Sequence, residues 1–515
     1  MGKRYIIFLL CAWLLQAACA RAQAGFYKTY GKTPQDYAYS VQPAADGFLL
    51  SGVSNSYGGS NYLFLTRLDA RGDTAWMKGY VTTNTFFGYS SIICADSSIL
   101  VCGLNGFGRF DSSGNPLWNY TYTGVTFYSV QQTSDGGYIL AGSMGSSSGS
   151  NGIDAYLLKT DANGIKQWSR KLGGAADEYA SCIRQTADSG YIFVGATNSF
   201  GAGGYDLYVV RTHANGDTVW THTYGGPLAE GGTSSIRQTI EPALDGGFII
   251  AGYTGSFSAG GTDGYAVKLN AGGGLQWSRS YGGSQGGDAF LDVKQCADSG
   301  YVFGGYTGSF GGGLVDAYLV RTDKNGDSLF TRAYGGMLAD YGQSLVLCRD
   351  KGYALAGYTA SFGSGNNDAL LIRTDSMGNT LCGQYNTTTV VSNAATQTGN
   401  TSTGKIFITL NTSSPAIPAR PGGNVTTLCV VNGVESVLKE EPVHVYPNPS
   451  AGVFSVWAVE EGRIEIRDLL GNVVFSQSLQ DTTTATLIDL RGLPAGAYNL
   501  FFAGRSCRKI IILPH

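Results

Sequence analysis

The feature that most constrains this chain is a unit of about 51 residues that recurs along its first three-quarters. The clearest copy runs from Tyr179 to Gly226. An apolar strand ends in Arg184-Gln185-Thr186, a turn Asp188-Ser189-Gly190 follows, and Tyr191 to Gly195 form a second strand. A loop Asn198-Ser199-Phe200-Gly201 leads to Asp206 through Arg211, a turn His213-Ala214-Asn215-Gly216, and a last strand that carries Trp220 and closes on Tyr224-Gly225-Gly226. Each copy therefore reads as four short strands, a to d, separated by turn residues. The position of Trp220 is filled in turn by Trp76, Trp118, Trp168, Trp220, Trp277, Phe330 and Cys382, which numbers the copies 1 to 7. A lone four-stranded sheet cannot bury both faces, so such units stack, and the pattern predicts an all-β fold with a seven-bladed β-propeller over residues 26–382. A parallel β-helix would need much shorter rungs. Phe26 to Gly31 matches strand d and its Tyr-Gly turn, so the chain starts inside a blade and this segment is expected to close the ring, in competition with Leu381 to Tyr385.

Repetition separates scaffold from candidate function. Strand c carries one basic residue per copy, Arg67, Arg109, Lys159, Arg211, Lys268, Arg321 and Arg373, and opens with Asp154, Asp206, Asp263, Asp316 and Asp368 in five copies. Groups present in nearly every blade are read as ion pairs and packing. Arg71-Gly72-Asp73 spells an adhesion tripeptide but sits in the c–d turn, where other copies have Asn215-Gly216-Asp217 and Asn325-Gly326-Asp327. Asp323 to Asp327 starts like a calcium loop, yet the later ligands and terminal Glu of an EF-hand are missing. Both are turn chemistry, with Asp and Asn bonding backbone N–H groups and Gly supplying positive φ.

The ends and the composition place the protein. Lys3 and Arg4, an apolar run and Ala20-Arg21-Ala22 read as a secretory signal over residues 1–22, and no later run is long enough to span a membrane. Cys19 follows Leu15-Gln16-Ala17-Ala18, a weak match to a lipoprotein cleavage box. Loss of Lys3, Arg4 and Arg21 with the leader takes the net charge from −3 to −6, which leaves no basic patch for nucleic acid. The 10 cysteines show no metal-type spacing. Cys94, Cys296 and Cys348 share one repeat position and read as core, whereas Cys382 and Cys429 bracket the joining segment and are the candidate disulfide. Residues 383–440 form a Thr/Ser/Asn-rich connector, expected to be partly ordered, with Ile406 to Leu410 and Val425 to Val431 as candidate strands.

Two resemblances add to this. The element Asp161-Ala162-Asn163-Gly164-Ile165-Lys166-Gln167-Trp168 resembles the tryptophan-docking repeat of quinoprotein-type propellers, which implies a Trp wedged between blades; no cofactor residues accompany it and no cofactor is expected. The repeat as a whole looks like the Gly/Tyr-rich propellers of secreted Bacteroidetes proteins. Val445-Tyr446-Pro447-Asn448-Pro449, Ile464 to Val474, Leu493-Pro494-Ala495-Gly496-Ala497-Tyr498 and Arg508 to Leu513 look like a type A sorting domain of the type IX secretion system, over residues 441–515. The resemblance implies a small Ig-like β-sandwich, recognition by the type IX machinery, passage through the periplasm, and release or anchoring at the cell surface. Asp73-Thr74-Ala75, Asp217-Thr218-Val219 and Asp327-Ser328-Leu329 resemble the short Bacteroidetes O-glycosylation acceptor, but all lie in equivalent c–d turns.

In a propeller the b–c and d–a loops share one face. Here they carry Tyr57, Phe200, Phe257, Phe310 and Phe362 together with Asp36, Glu178, Asp288 and Asp340. Aromatics among carboxylates suit stacking on sugar rings, so these nine are the candidate ligand-binding residues, with loop packing and backbone capping as the competing roles. The function expected is a secreted or surface propeller that binds a glycan or protein; the alternative is a polysaccharide hydrolase or lyase. The mature chain has only His213, His222, His444 and His515, no nucleophile elbow and no zinc motif, so neither catalytic nor metal residues are assigned.

Overall fold

A computed structural model describes residues 25–512 apart from 33, 57–61, 81–87, 146–151, 232–236, 381–382, 394–396, 401–403, 407–418, 422–423, 431–442, 447–452, 459–461, 468–471, 480–485, 495 and 503–504. The leader, Tyr57 and Cys382 therefore lie outside the described residues, and with Cys382 the proposed pairing to Cys429. The chain divides into two compact units, Met1–Gly433 and Val434–His515.

The first unit is a β-propeller. In copy 4 the strands are Glu178–Gln185, Tyr191–Thr197, Asp206–Thr212 and Thr218–Gly225, paired antiparallel in that order. Their apolar side chains stack on the next sheet: Ile192, Val194, Leu207 and Val209 pack on Ile240, Ile250, Tyr265 and Val267 of copy 5. Two devices stitch neighbours together. The c–d turn glycine adopts positive φ and offers a bare Cα to the Trp of the preceding copy; a Cβ on Gly216 (φ +80°) would stand 2.8 Å from Trp168. The strand-d tyrosine then donates its hydroxyl to the same turn, as Tyr281 does to Gly326 O and Tyr334 to Gly378 O, both at 2.6 Å. Within each copy the strand-c cation pairs with the a–b turn Asp, for example Lys159 with Asp135 and Lys268 with Asp245, both at 2.8 Å. The Arg71-Gly72-Asp73 turn belongs to this stitching, because Tyr30 donates to Gly72 O at 2.8 Å and Lys28 to Asp73 at 2.6 Å.

The propeller has six sheets, not the seven blades that the repeat count predicts. Copies 2 and 3 are fused. Copy 2 lacks a b–c loop, so its b and c segments run on as one strand Ile99–Phe110, and its d segment continues into strand a of copy 3 as Pro116–Gln132. Leu104 pairs with Thr126 beside the positive-φ residues Asn105 and Gly124, which joins the two copies into one sheet. Seven strand-a segments still line the central channel.

The ring is closed by Phe26–Gly31, which pairs with Asp368–Arg373 of copy 7. The segment expected as a connector instead encircles the propeller. Gln384–Asn386 pairs with strand d of copy 6, Val390–Asn393 with copy 5, Gln397–Asn400 with copy 4, Gly404–Ile406 with copy 3 and Ala419–Pro421 with copy 1. Asn424–Val430 ends the circuit on Phe26–Gly31. Every sheet thereby gains an outermost antiparallel strand, and no outer edge is left wholly open. Thr and Val, abundant in this segment, suit that extended path.

The second unit contains a three-stranded sheet, Val443–Tyr446, Val453–Ala458 and Thr486–Asp489, and a four-stranded sheet of Val473–Leu479, Gly462–Arg467, Gly496–Phe502 and Arg505–Ile512.

Candidate functional site

The carboxylates predicted on the b–c and d–a face are buried at the roots of its loops. Asp36, Glu178, Asp288 and Asp340 are inaccessible to solvent and cap backbone groups. Gly174 N–H donates to Glu178 Oε2 at 2.6 Å, Gly283 N–H to Asp288 Oδ2 at 3.0 Å, and Gly336 N–H to Asp340 Oδ2 at 2.7 Å. Lys32 N–H does the same for Asp36 at 2.7 Å. Burial raises the carboxyls of Asp36, Asp288 and Asp340 above their usual range, with Thr, Ser and backbone donors opposing the shift.

Phe200, Phe257, Phe310 and Phe362 are half-buried. A Cβ on the second glycine of a Gly-Gly pair, Gly174, Gly226, Gly283 or Gly336, would stand 2.8 to 2.9 Å from the respective ring. Phe257 also meets Tyr265 with centroids 6.0 Å apart, and Phe310 meets Tyr318 at 6.2 Å. The rings wedge a b–c loop against the preceding copy. The carboxylates and phenylalanines are thus brought together, but as the anchor of the loops.

Inside them the structure assembles a feature the sequence reading did not single out. Tyr306, Tyr341, Tyr358, Tyr37, Tyr39, Tyr89 and Tyr128 form a continuous arc at the channel mouth. Successive centroids stand 5.2, 4.8, 4.8, 6.1, 5.5 and 6.1 Å apart. All but Tyr128 are partly open to solvent. They come from three places in the repeat: directly after the capping carboxylate (Tyr37, Tyr341), in the Gly-Tyr-Thr end of strand b (Tyr306, Tyr358), and at the strand-a bulge (Tyr39, Tyr128) or its equivalent just before Ser90–Ile93 (Tyr89). The recurring Asp-Tyr and Gly-Tyr-Thr steps were the available signal. Arg237 reaches into the arc, donating to Tyr89 O at 2.6 Å and Tyr39 O at 3.1 Å with its guanidinium 5.7 Å from the Tyr39 ring. Burial pushes the Tyr39 hydroxyl up to about 12, so it stays a neutral donor at physiological pH.

Below the arc lies a cavity of about 430 Å³ lined by Ser40, Ser91, Ser129, Ser181 and Gln238. Its far end is charged. Arg184 forks onto Glu241 at 2.7 and 3.0 Å, and Lys294 reaches Glu241 at 2.9 Å and Asp292 at 2.6 Å. Burial raises the Glu241 carboxyl, but Arg184 and Lys294 outweigh it and bring it down to about 2. Glu241 lies in strand a of copy 5, Thr239–Pro242. Among the described residues, no group of three or more His, Cys, Asp or Glu is placed to hold a metal ion.

Residues 444–513 match the family model of the secretion system C-terminal sorting domain. That tail indicates export by type IX secretion, through the periplasm to the cell surface or beyond. Among the described residues no helix is long and apolar enough to cross a membrane. No curated protein matches the chain. Among solved structures it is similar to a protein of unknown function from Bacteroides caccae, with TM-score 0.35 and 12% identity over 62% of this chain and 98% of that one. It is also similar to the Pan2 WD40 domain of Neurospora crassa, with TM-score 0.41 and 11% identity over 65% and 88%. A protein of unknown function from Dyadobacter fermentans matches with TM-score 0.38 and 9% identity over 69% and 100%.

Proposed function

We propose that this is a secreted or cell-surface binding protein of Bacteroidetes type, whose propeller takes a carbohydrate across the tyrosine arc at the channel mouth. The observation that carries the reading is the arc itself: seven tyrosines in ring-to-ring contact, six of them partly open, around the half-buried Arg237 guanidinium. Flat amphipathic rings offer faces for sugar C–H groups and hydroxyls for their oxygens. Binding is preferred to hydrolysis in this reading because Arg184 and Lys294 hold the Glu241 carboxyl well below the usual range, opposite to the raised value a general acid requires. Glycan-array screening of the mature protein tests this, followed by titration of the hits against Tyr341→Ala/Tyr358→Ala. Loss of at least tenfold in affinity with an unchanged melting temperature is expected. Hits that bind the double variant as well as the wild type would refute the assignment.

A further inference from the structure

At five sheet junctions the strand-c aspartate of one copy faces the capping carboxylate of the next: Asp154 with Glu178, Asp206 with Glu230, Asp263 with Asp288, Asp316 with Asp340, and Asp368 with Asp36. All ten are buried, Asp154 being the most open at 9%. In each pair an oxygen from both partners lies within 2.7 Å of the point where a Cβ would stand on an intervening glycine, Gly173, Gly225, Gly282, Gly335 or Gly31. This explains the first glycine of the repeated Gly-Gly step, since any side chain would enter the carboxylate pair.

Two buried carboxylates facing each other need a cation or a shared proton between them, because each desolvated anion is costly and their mutual repulsion adds to it. One junction contains that charge. Lys171, itself 6% exposed, forms an ion pair with Asp154. It stands two residues before Gly173. Thr29, at the Asp368/Asp36 junction, and Thr223, Ser280 and Ala333, at the three junctions that follow Lys171, carry no charge. There the Oδ1 atoms of Asp206, Asp263 and Asp316 are buried and have no hydrogen-bond partner, and these are the oxygens aimed at the glycine and the facing carboxylate.

We propose that the pairs Asp206/Glu230, Asp263/Asp288 and Asp316/Asp340 each bind a calcium ion that takes the place of the Lys171 ammonium. Two carboxylates match one divalent charge, and the donors are all hard oxygens. Calcium fits better than magnesium because the junction is dry: magnesium dehydrates reluctantly and keeps several waters, whereas calcium accepts irregular oxygen shells. An exported protein meets calcium at concentrations that fill extracellular sites with dissociation constants of roughly 0.1 to 1 mM. The ions would then rivet copies 4 to 7 in series, as Lys171 rivets copy 3 to copy 4.

The test uses the mature protein stripped with EDTA and returned to calcium chloride alone at pH 7.5. Calorimetric titration and metal analysis should give about three calcium ions per chain, with a melting temperature raised by about 5 °C or more. Thr223→Lys, which copies the residue of the neighbouring junction, should lower the count by one and raise the melting temperature in EDTA. Ala333→Lys provides the same test at another junction if the first variant fails to fold. Asp206→Asn/Asp263→Asn/Asp316→Asn should abolish the calcium response. A protein that binds no calcium, or whose count is unchanged by both lysine variants, overturns the proposal. So does one whose melting temperature ignores calcium but climbs as the pH drops below 6, because the pairs would then share protons.

Discussion

Replacing Phe257 and Phe310 by alanine separates the two roles these rings were assigned. As ligand platforms they would be removable without harm to the fold. The structure instead places the Phe257 ring 2.9 Å from a Cβ on Gly226, against Tyr265, and gives Phe310 the same relation to Gly283 and Tyr318. Truncating a fully buried Phe costs about 3 to 5 kcal/mol. These rings are half-buried, so about 2 kcal/mol each is expected. They lie in different junctions and meet different rings, Tyr265 and Tyr318, so the double variant should lose about 4 kcal/mol, with near-additive singles. In a unit this large that corresponds to a fall in melting temperature of several degrees. Urea midpoints at unchanged slope give the stability change directly, and affinity for an array-identified glycan is measured on the same samples below the transition. Stability within about 0.5 kcal/mol of wild type together with lost affinity would refute the packing argument and return the rings to the ligand surface.

Ending the chain after residue 383 removes the encircling strands. Each paired residue contributes about 0.5 to 1.5 kcal/mol of hydrogen bonding against an ordering cost of about 1 to 2, so the melting temperature should drop only modestly, while light scattering shows association through the uncovered outer edges. In EDTA, stability should fall as the pH rises from 4 to 6. Burial lifts Asp206, Asp263 and Asp316 from 3.8 to about 6, so the folded state holds protons the unfolded chain releases, and urea midpoints should be higher at pH 4.5 than at pH 7. Deleting residues 440–515 should leave a folded propeller in the periplasm; normal surface delivery, read by protease accessibility of whole cells, would contradict the export assignment.

The period, the turn chemistry and the Trp positions made the propeller legible, because blade stacking repeats the same demands in every copy. Gly216 must meet Trp168 just as Gly326 meets Trp277, and only glycine satisfies that contact at positive φ. The charges of strand c were legible for the same reason, since each of the seven has an a–b turn Asp within reach. What was illegible depends on partners far apart in sequence. Gln384–Asn386 and its successors look like a polar linker, because an outermost strand needs no apolar face; only the pairing with strand d of each copy makes them structural. The tyrosine arc escaped notice because its members occupy three different repeat positions, and only the closure of the ring brings Tyr358 beside Tyr37.

The blade count shows where periodicity stops being sufficient. A repeat counts strands, whereas a blade is bounded by where hydrogen bonding ends, and that depends on whether the chain turns away between copies. At five other connections a capping carboxylate, four times behind a Gly-Gly step, lifts the chain off one sheet and starts the next, as Gly226 N–H does with Glu230 Oε2 at 2.6 Å. Between copies 2 and 3 no such carboxylate exists: the chain passes through Tyr122-Thr123-Gly124-Val125 and keeps pairing. The connection from copy 1 to copy 2 lacks the acid as well and still starts a new sheet, so the missing carboxylate acts together with the continued Leu104–Thr126 pairing to fuse copies 2 and 3. Introducing the Gly-Gly step and its acid at that connection is the change that would cut the fused sheet in two.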